Sequence, residues 1–280
     1  MSDFILSAFA DEVGKEVEAQ ISAMVDNGIH YLEVRGVGDK NIVDLTVEEA
    51  VELKKQLAAH GLATWSIGSP IGKINIDGDF AAHVEQFKHV LELANTLEAE
   101  NIRMFSFFMP KGEDPAPYRN QVIEQLSVLV ETAKGAGVDL CHENEKGIYG
   151  DIAPRCLDIL QNVPGLKAVF DPANFVQSGQ ETMSAWEMLH PYVKYMHIKD
   201  AVSSGDVVPA GTGEGHIPEL LPLYAGQGGR VLTMEPHLFE FSGLAGLEQE
   251  GERSVVGKLS FGSQREAFDY AVQALKKITG

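Results

Sequence analysis

Short apolar runs alternate with longer amphipathic stretches along this chain, and the alternation occurs about eight times in 280 residues. The runs, rich in Val, Ile, Leu and Phe, cover residues 4–10, 31–34, 63–67, 102–108, 139–142, 168–170, 193–198 and 231–234. Their spacing of roughly 27 to 38 residues is that of a strand, a helix and two loops. The stretches between them read as helices. Over 17–27, Val17, Ile21, Met24 and Val25 share one face. The segment 46–60 opens with Thr46 and Glu49 three apart, a capping box, and Gly61 follows at its C-terminal end. Further helices are expected over 80–97, 118–135, 153–161, 184–189, 217–224 and 262–278.

Near-continuous apolar strands joined by helical crossovers imply a parallel sheet covered on both faces. Eight such units predict an α/β fold of the (β/α)8 TIM-barrel class, a parallel eight-stranded barrel with outer helices, formed as a single domain over residues 1–280. The competing doubly wound sheet normally carries a glycine-rich phosphate turn after its first strand. Here that turn reads Ala10-Asp11-Glu12-Val13-Gly14-Lys15, which cradles no phosphate. Two connections exceed what a minimal barrel needs, 203–216 with its four glycines and 238–261. Both follow strands, which puts them on the face where barrel active sites form. A final loop of that length is expected to be a lid, a binding loop or a partner contact.

Charge narrows the partners. Against 22 Lys+Arg stand 41 Asp+Glu, a net charge of −19. Nucleic acid and anionic membrane surfaces both call for a basic face, so neither is an expected partner. Cys141 and Cys156 are too few for a disulfide framework and read as small buried hydrophobes. The start, Met1-Ser2-Asp3-Phe4, lacks the basic and apolar regions of a signal peptide, and no apolar run approaches the roughly 20 residues that span a bilayer. The expected location is cytoplasmic.

The chemistry is written at the strand ends. The fifth run ends His142-Glu143-Asn144, the sixth Phe170-Asp171-Pro172-Ala173-Asn174, the seventh His197-Ile198-Lys199-Asp200 and the eighth Met234-Glu235-Pro236-His237. Four successive strands thus deliver Glu143, Asp171, His197 and Glu235 to one rim. Three carboxylates and an imidazole converging there would repel without a cation. An oxygen-rich set with one nitrogen suits Mn²⁺, Mg²⁺ or Co²⁺ and tolerates Zn²⁺.

These motifs, with Gly147-Ile148-Tyr149-Gly150-Asp151 after the fifth strand and Glu33-Val34-Arg35 on the second, make the chain similar to the xylose isomerase-like superfamily of TIM barrels, the sugar phosphate isomerase/epimerase type. The resemblance covers essentially the whole chain and is specific to the superfamily rather than to a substrate. It implies one divalent ion, most often Mn²⁺, held by Glu143, Asp171, His197 and Glu235. It also implies that Glu143 and Glu235 act as an acid/base pair on opposite faces of a small keto-sugar or polyol, moving a proton through an enolate. The ion polarises the carbonyl and acidifies the neighbouring C–H, and a carboxylate near that carbon takes the proton.

The chain departs from the family pattern at two points. Asn174 stands where many relatives carry a histidine, and Ser203 where the sugar epimerases carry an arginine. An amide can hydrogen-bond a sugar hydroxyl but cannot shuttle a proton. The differences leave open a dehydratase or lyase acting on a related cyclic polyol or keto-sugar, of the inosose dehydratase kind. They also leave open a non-catalytic sugar-binding barrel, against which the intact ligand set argues. The superfamily's DNA-repair endonucleases need extra histidines on early strands, which are absent here. Arg35, Asn174, Lys199, His216 and His237 are expected to contact substrate. His142 alternates away from the rim, Cys141 lies two residues deeper than Glu143, and Glu33 and Arg35 alternate in phase on the second strand. No cluster of Lys and Arg in the sequence marks a phosphate subsite. Relatives commonly form dimers or tetramers through the loops of this face, which leaves open a homodimer or homotetramer with Phe239, Phe241 and Leu244 buried under a partner, the same residues buried over the substrate, and a monomer with that segment folded on itself.

Overall fold

In the computed structural model, which describes residues 4–240 and 259–280, eight parallel strands close into a barrel. They are β1 Ile5–Ala8, β2 Tyr31–Val34, β3 Ala63–Gly68, β4 Asn101–Met104, β5 Asp139–Glu143, β6 Lys167–Phe170, β7 Val193–Ile198 and β8 Val231–Met234. Each pairs with its sequence neighbour, and β8 closes on β1 through Ile5↔Val231 to Ala8↔Met234. The (β/α)8 architecture read from the alternation is the one observed.

Outside the barrel lie α1 Val17–Asp26, α2 Val47–Ala59, α3 Phe80–Thr96, α4 Arg119–Thr132, α5 Ala153–Asn162, α6 Pro172–Gln177, α7 Thr182–Leu189, α8 Ile217–Gly226 and α9 Gln264–Thr279. The capping box at α2 is formed: Thr46 Oγ1 accepts from Glu49 N at 3.2 Å and Glu49 Oε2 accepts from Thr46 N at 2.8 Å. The apolar faces of the helices pack on the outward strand residues in one continuous core, with Phe87, Leu129, Phe170, Leu232 and Phe268 at most 1% exposed.

Inside the barrel sits a second, small apolar cluster: Trp65, Cys141, Val169, Tyr195 and Val231, with Tyr31 against it. This plug positions the site. Strand side chains alternate, so the residue two further along points the same way. Cys141 is followed by Glu143, Val169 by Asp171, Tyr195 by His197, Val231 by Thr233 and Glu235, and Tyr31 by Glu33 and Arg35. Apolar side chains fill the N-terminal end of the bore, and the polar set stacks above them at the C-terminal end.

Three sequence expectations change. The fourth apolar run extends to 108, but β4 ends at Met104. Phe105, Phe107 and Phe108 give their N–H groups to Ile71, Gly72 and Ile74 carbonyls instead, so the run leaves the barrel to pair with the preceding loop. The approach is close: at Gly72, φ +86°, a Cβ would fall 2.0 Å from the Phe105 carbonyl oxygen. The sequence reading missed α6, which begins directly after β6 with Asp171 as its N-cap and Pro172 at its first position. The stretch read as the loop 203–216 is partly ordered by an antiparallel ribbon, Asp200–Ala201 with Val207–Val208.

Residues 241–258 of the final loop lie outside the described residues, and with them Phe241 and Leu244. Leu238 is buried, and Phe239 packs half-buried against the core. Both cysteines are free and buried. Among the described residues no helix is long and apolar enough to cross a membrane.

Candidate metal centre

The ends of β5 and β7, together with the residues just past β6 and β8, bring Glu143, His197, Asp171 and Glu235 together. One ligand atom from each lies within 4.8 Å of the others, and all four side chains are buried. His197 Nδ1 stands 3.0 Å from Glu143 Oε1 and 3.5 Å from Glu235 Oε2. Asp171 Oδ1 caps α6 by accepting from Asn174 N at 3.0 Å. Its other oxygen, Oδ2, is buried without a hydrogen bond and faces Lys199 Nζ at 3.0 Å. Three carboxylate oxygens and one imidazole nitrogen fit a hard or borderline divalent cation.

Each glutamate is held from behind. Arg35 Nη1 donates to Glu235 Oε1 at 3.0 Å, which turns Oε2 toward the cluster. Arg103 Nε lies 3.3 Å from Glu143 Oε2, which leaves Oε1 to His197 and to Asn174 Nδ2 at 3.3 Å. Lys199 Nζ bridges Asp171 Oδ2 and Glu235 Oε2, 3.0 Å from each. The protonation states follow from this. Burial would push Glu143 up, yet the charges of His197 and Arg103 outweigh it and hold it below the ordinary carboxylate range. Glu235 is held well down in the same way, burial being overcome by Lys199, His237 and His197. For Asp171, burial wins over Lys199, with the charges of Glu235 and Glu143 adding to it, and its carboxyl rises to about 7. His197 goes well up despite burial because Glu143 and Glu33 surround it.

The substrate-binding residues expected from sequence divide. Asn174 donates to both Glu143 and the Asn144 carbonyl. Lys199 is part of the cluster itself, an internal counter-charge to two of its carboxylates. Arg35 binds Asp11 through Nε and Nη2 at 2.9 and 3.0 Å and approaches Glu12 Oε1 at 3.4 Å. His237, at a left-handed φ of 45°, donates its N–H to Glu12 Oε2 at 2.7 Å, and its ring reaches within 3.5 Å of Glu235 Oε1. Glu12, Glu235 and His237 form a second group with atoms within 4.8 Å of one another, against which Arg35 sets one positive charge. Burial, opposed by Arg35, raises Glu12 to about 8. Burial also holds the His237 ring well down against the pull of Glu235. His216 stands apart. Its ring is exposed, 3.9 Å from Glu219 at the start of α8.

His142 points away from the rim as alternation predicts. Its Nε2 meets Ser106 Oγ at 2.9 Å, and burial lowers its pKa to about 4. Cys141 is part of the plug, where burial pushes its thiol up. Glu33 and Arg35, in phase on β2, serve different partners: Glu33 takes Tyr195 and His197, and Arg35 takes the β1 loop and Glu235.

The sequence reading overlooked Asp11, Glu12, Arg103, Tyr195 and Lys73. Arg103 was the most legible of these, a cation inside an apolar run. Cations that the sequence does not show as a cluster meet at the rim in space. Lys73, with its side chain 4% exposed, lies 3.4 Å from Glu145 Oε2 and over the Phe105 ring at 4.4 Å, and it joins Arg35, Arg103 and Lys199 around the site. Burial lowers the Lys73 pKa, with Glu145 opposing.

Known proteins share this frame. A curated relative, a 3-dehydroshikimate dehydratase from Bacillus anthracis, is 23% identical over 210 residues, 74% of this chain and 71% of its own. Among solved structures, a probable 3-DHS dehydratase from Bacillus anthracis superposes with a TM-score of 0.74 at 15% identity, over 99% of both chains. A D-psicose 3-epimerase from Clostridium cellulolyticum H10, solved with D-tagatose, does so at 0.73 and 15%, again over 99% of both. The family model described as xylose isomerase-like TIM barrel matches residues 21–223, and the chain belongs to that family.

Proposed function

We propose that the chain is a divalent-metal-dependent isomerase or epimerase that moves a proton beside the carbonyl of a small keto-sugar or polyol, with Glu143 and Glu235 as the acid/base pair. The observation that carries this reading is the matched placing of the two glutamates. Each has one oxygen tied to a buried arginine and the other turned to the same cluster. An ion bound by Glu143, Asp171, His197 and Glu235, with Mn²⁺ the first expectation and Mg²⁺, Co²⁺ and Zn²⁺ the alternatives, would supply a Lewis acid for the carbonyl. Arg103 and Arg35 orient the glutamates, and the charges of His197, Arg103 and Lys199 keep them ionised, so that either can accept a proton from carbon and the other return one. Asn174, Lys199 and His237 lie close enough to the pair to orient substrate oxygens, whereas His216 has no contact that draws it into this role.

A second reading is a dehydratase. The curated relative favours it, as does Asn174 at the position where a proton-shuttling histidine is common among relatives. The same proton abstraction would then be followed by departure of the β-hydroxyl, which takes up a proton and leaves as water. Both readings have a small free molecule as substrate and a cytoplasmic setting, with neither nucleic acid nor membrane as partner.

One experiment separates them. The Mn²⁺-loaded protein is incubated in D₂O with ketoses, inositols, 3-keto-glycosides and 3-dehydroshikimate, followed by proton NMR and mass spectrometry. Deuterium entering a retained carbon is expected for the isomerase or epimerase. Loss of water from the substrate transfers the assignment to the dehydratase. Binding without exchange or product across the panel overturns both readings in favour of a sugar-binding barrel.

A further inference from the structure

Glu33 is a buried carboxylate outside the candidate ligand set. It sits on β2, at a point where the register with β3 shifts so that Glu33 lies opposite Ser66. Its side chain is 0% exposed, a position that costs several kcal/mol for a carboxylate unless each oxygen is served. Both oxygens are. Tyr195 OH donates to Oε1 at 2.9 Å and is itself 3.1 Å from Ser66 Oγ, while His197 Nε2 meets Oε2 at 3.2 Å. The two nitrogens of His197 therefore face different ways, Nε2 to Glu33 on β2 and Nδ1 to Glu143 and Glu235 in the cluster. The Phe9 ring packs edge-on to the imidazole at 5.1 Å between centroids.

An imidazole has one acceptor nitrogen when neutral, and the partner of the other nitrogen decides which one it is. A carboxylate on Nε2 keeps the proton there and leaves the Nδ1 lone pair free for a cation. We infer that Glu33 is the positioning residue of the metal centre, fixing the ring and tautomer of His197 so that Nδ1 is the ligand atom, with Tyr195 holding Glu33 in place. The inference rests on the metal-site reading of Glu143, Asp171, His197 and Glu235. It adds a residue outside that four-residue group.

The test needs only metal. Wild-type protein with ¹⁵N-labelled histidines is loaded with ¹¹³Cd²⁺, and the cadmium is expected to couple to Nδ1 of one histidine whose Nε2 carries a slowly exchanging proton. Coupling to Nε2 overturns the inference even if no variant folds. Titration calorimetry with Mn²⁺ is then run on wild type and Glu33→Gln, with circular dichroism and urea unfolding in parallel. A 10- to 100-fold weaker Kd, on the order found for outer-shell carboxylates, is expected in the variant with its helical signal retained. A lower urea midpoint with unchanged Kd would make Glu33 a core ion-pair residue only and overturn the proposal. If wild type binds none of Mn²⁺, Zn²⁺ and Cd²⁺, the metal-site reading itself falls, and this inference with it.

Discussion

Glu143 and Glu235 stand where alternation along β5 and β8 puts them, and His197 and Asp171 follow the same rule. The convergence of these four residues was legible because a strand's period of two converts sequence position into direction. What surrounds it was not, because its contacts join distant segments: Tyr195 and Glu33 are 162 residues apart, His197 and Glu33 164, and Arg35 and Glu235 200. No local pattern announces such a pair. If the glutamates move the proton, Glu143→Gln and Glu235→Gln should each lower turnover by roughly 10² to 10⁴, the usual share of general acid–base catalysis, without loss of fold. Turnover measured beside circular dichroism checks this, and near-wild-type rates in either variant would remove that residue from the pair. His142 gives a pH signature. Its pKa is held down to about 4 from an ordinary 6.5. The buried neutral ring therefore contributes stability that is full above pH 6.5 and is lost as pH falls through 4, amounting to about 3 kcal/mol. In His142→Gln, urea unfolding across pH 6.5 to 4 should show a shallower loss than wild type.

At the scale of elements, caps and crossovers were readable where the signal is local. Thr46 and Glu49 mark the start of α2 in sequence and form the expected pair in space. Thr46→Ala should cost about 1 kcal/mol in urea unfolding, the usual worth of an N-cap. The glycine-rich segment after β7 was recognised as unusual, but its organising residue was not. Asp200 accepts backbone N–H groups from Ala201, Gly211, Gly213 and Gly215 at 2.9 to 3.0 Å, so one buried carboxylate folds the segment around itself. A Cβ at Gly213 would fall 2.4 Å from Asp200 Oδ1, which explains glycine there by close approach rather than by flexibility. Asp200→Ala leaves these donors unserved and should cost about 3 kcal/mol or more. Gly213→Ala should lower the urea midpoint in the same direction. A midpoint unchanged in Asp200→Ala would mean that the loop holds itself.

For the whole molecule, three of the 41 acidic residues belong to the candidate metal set, so the net charge of −19 comes chiefly from elsewhere. A diffuse acidic surface attracts any cation weakly, whereas a built site binds selectively, and stability separates the two. A ligand at 100 times its Kd adds about 2.7 kcal/mol to folding, which raises Tm by about 5 °C in a chain of this size. Mn²⁺ should therefore raise Tm by that order in wild type and have no such effect in His197→Ala, which keeps nearly all of the surface charge. The shift should also depend on pH. The Asp171 carboxyl, raised to about 7 by burial, favours the metal-free fold while protonated, and that contribution is lost as pH rises through 7. Binding a cation requires Asp171 ionised and the His197 nitrogen facing the cluster deprotonated, and releases both protons. The Mn²⁺-induced rise in Tm should thus be small near pH 5.5 and grow through pH 7, as read by calorimetry in matched buffers. An equal rise in His197→Ala, or one independent of pH, would assign the effect to the surface and leave the cluster without a cation.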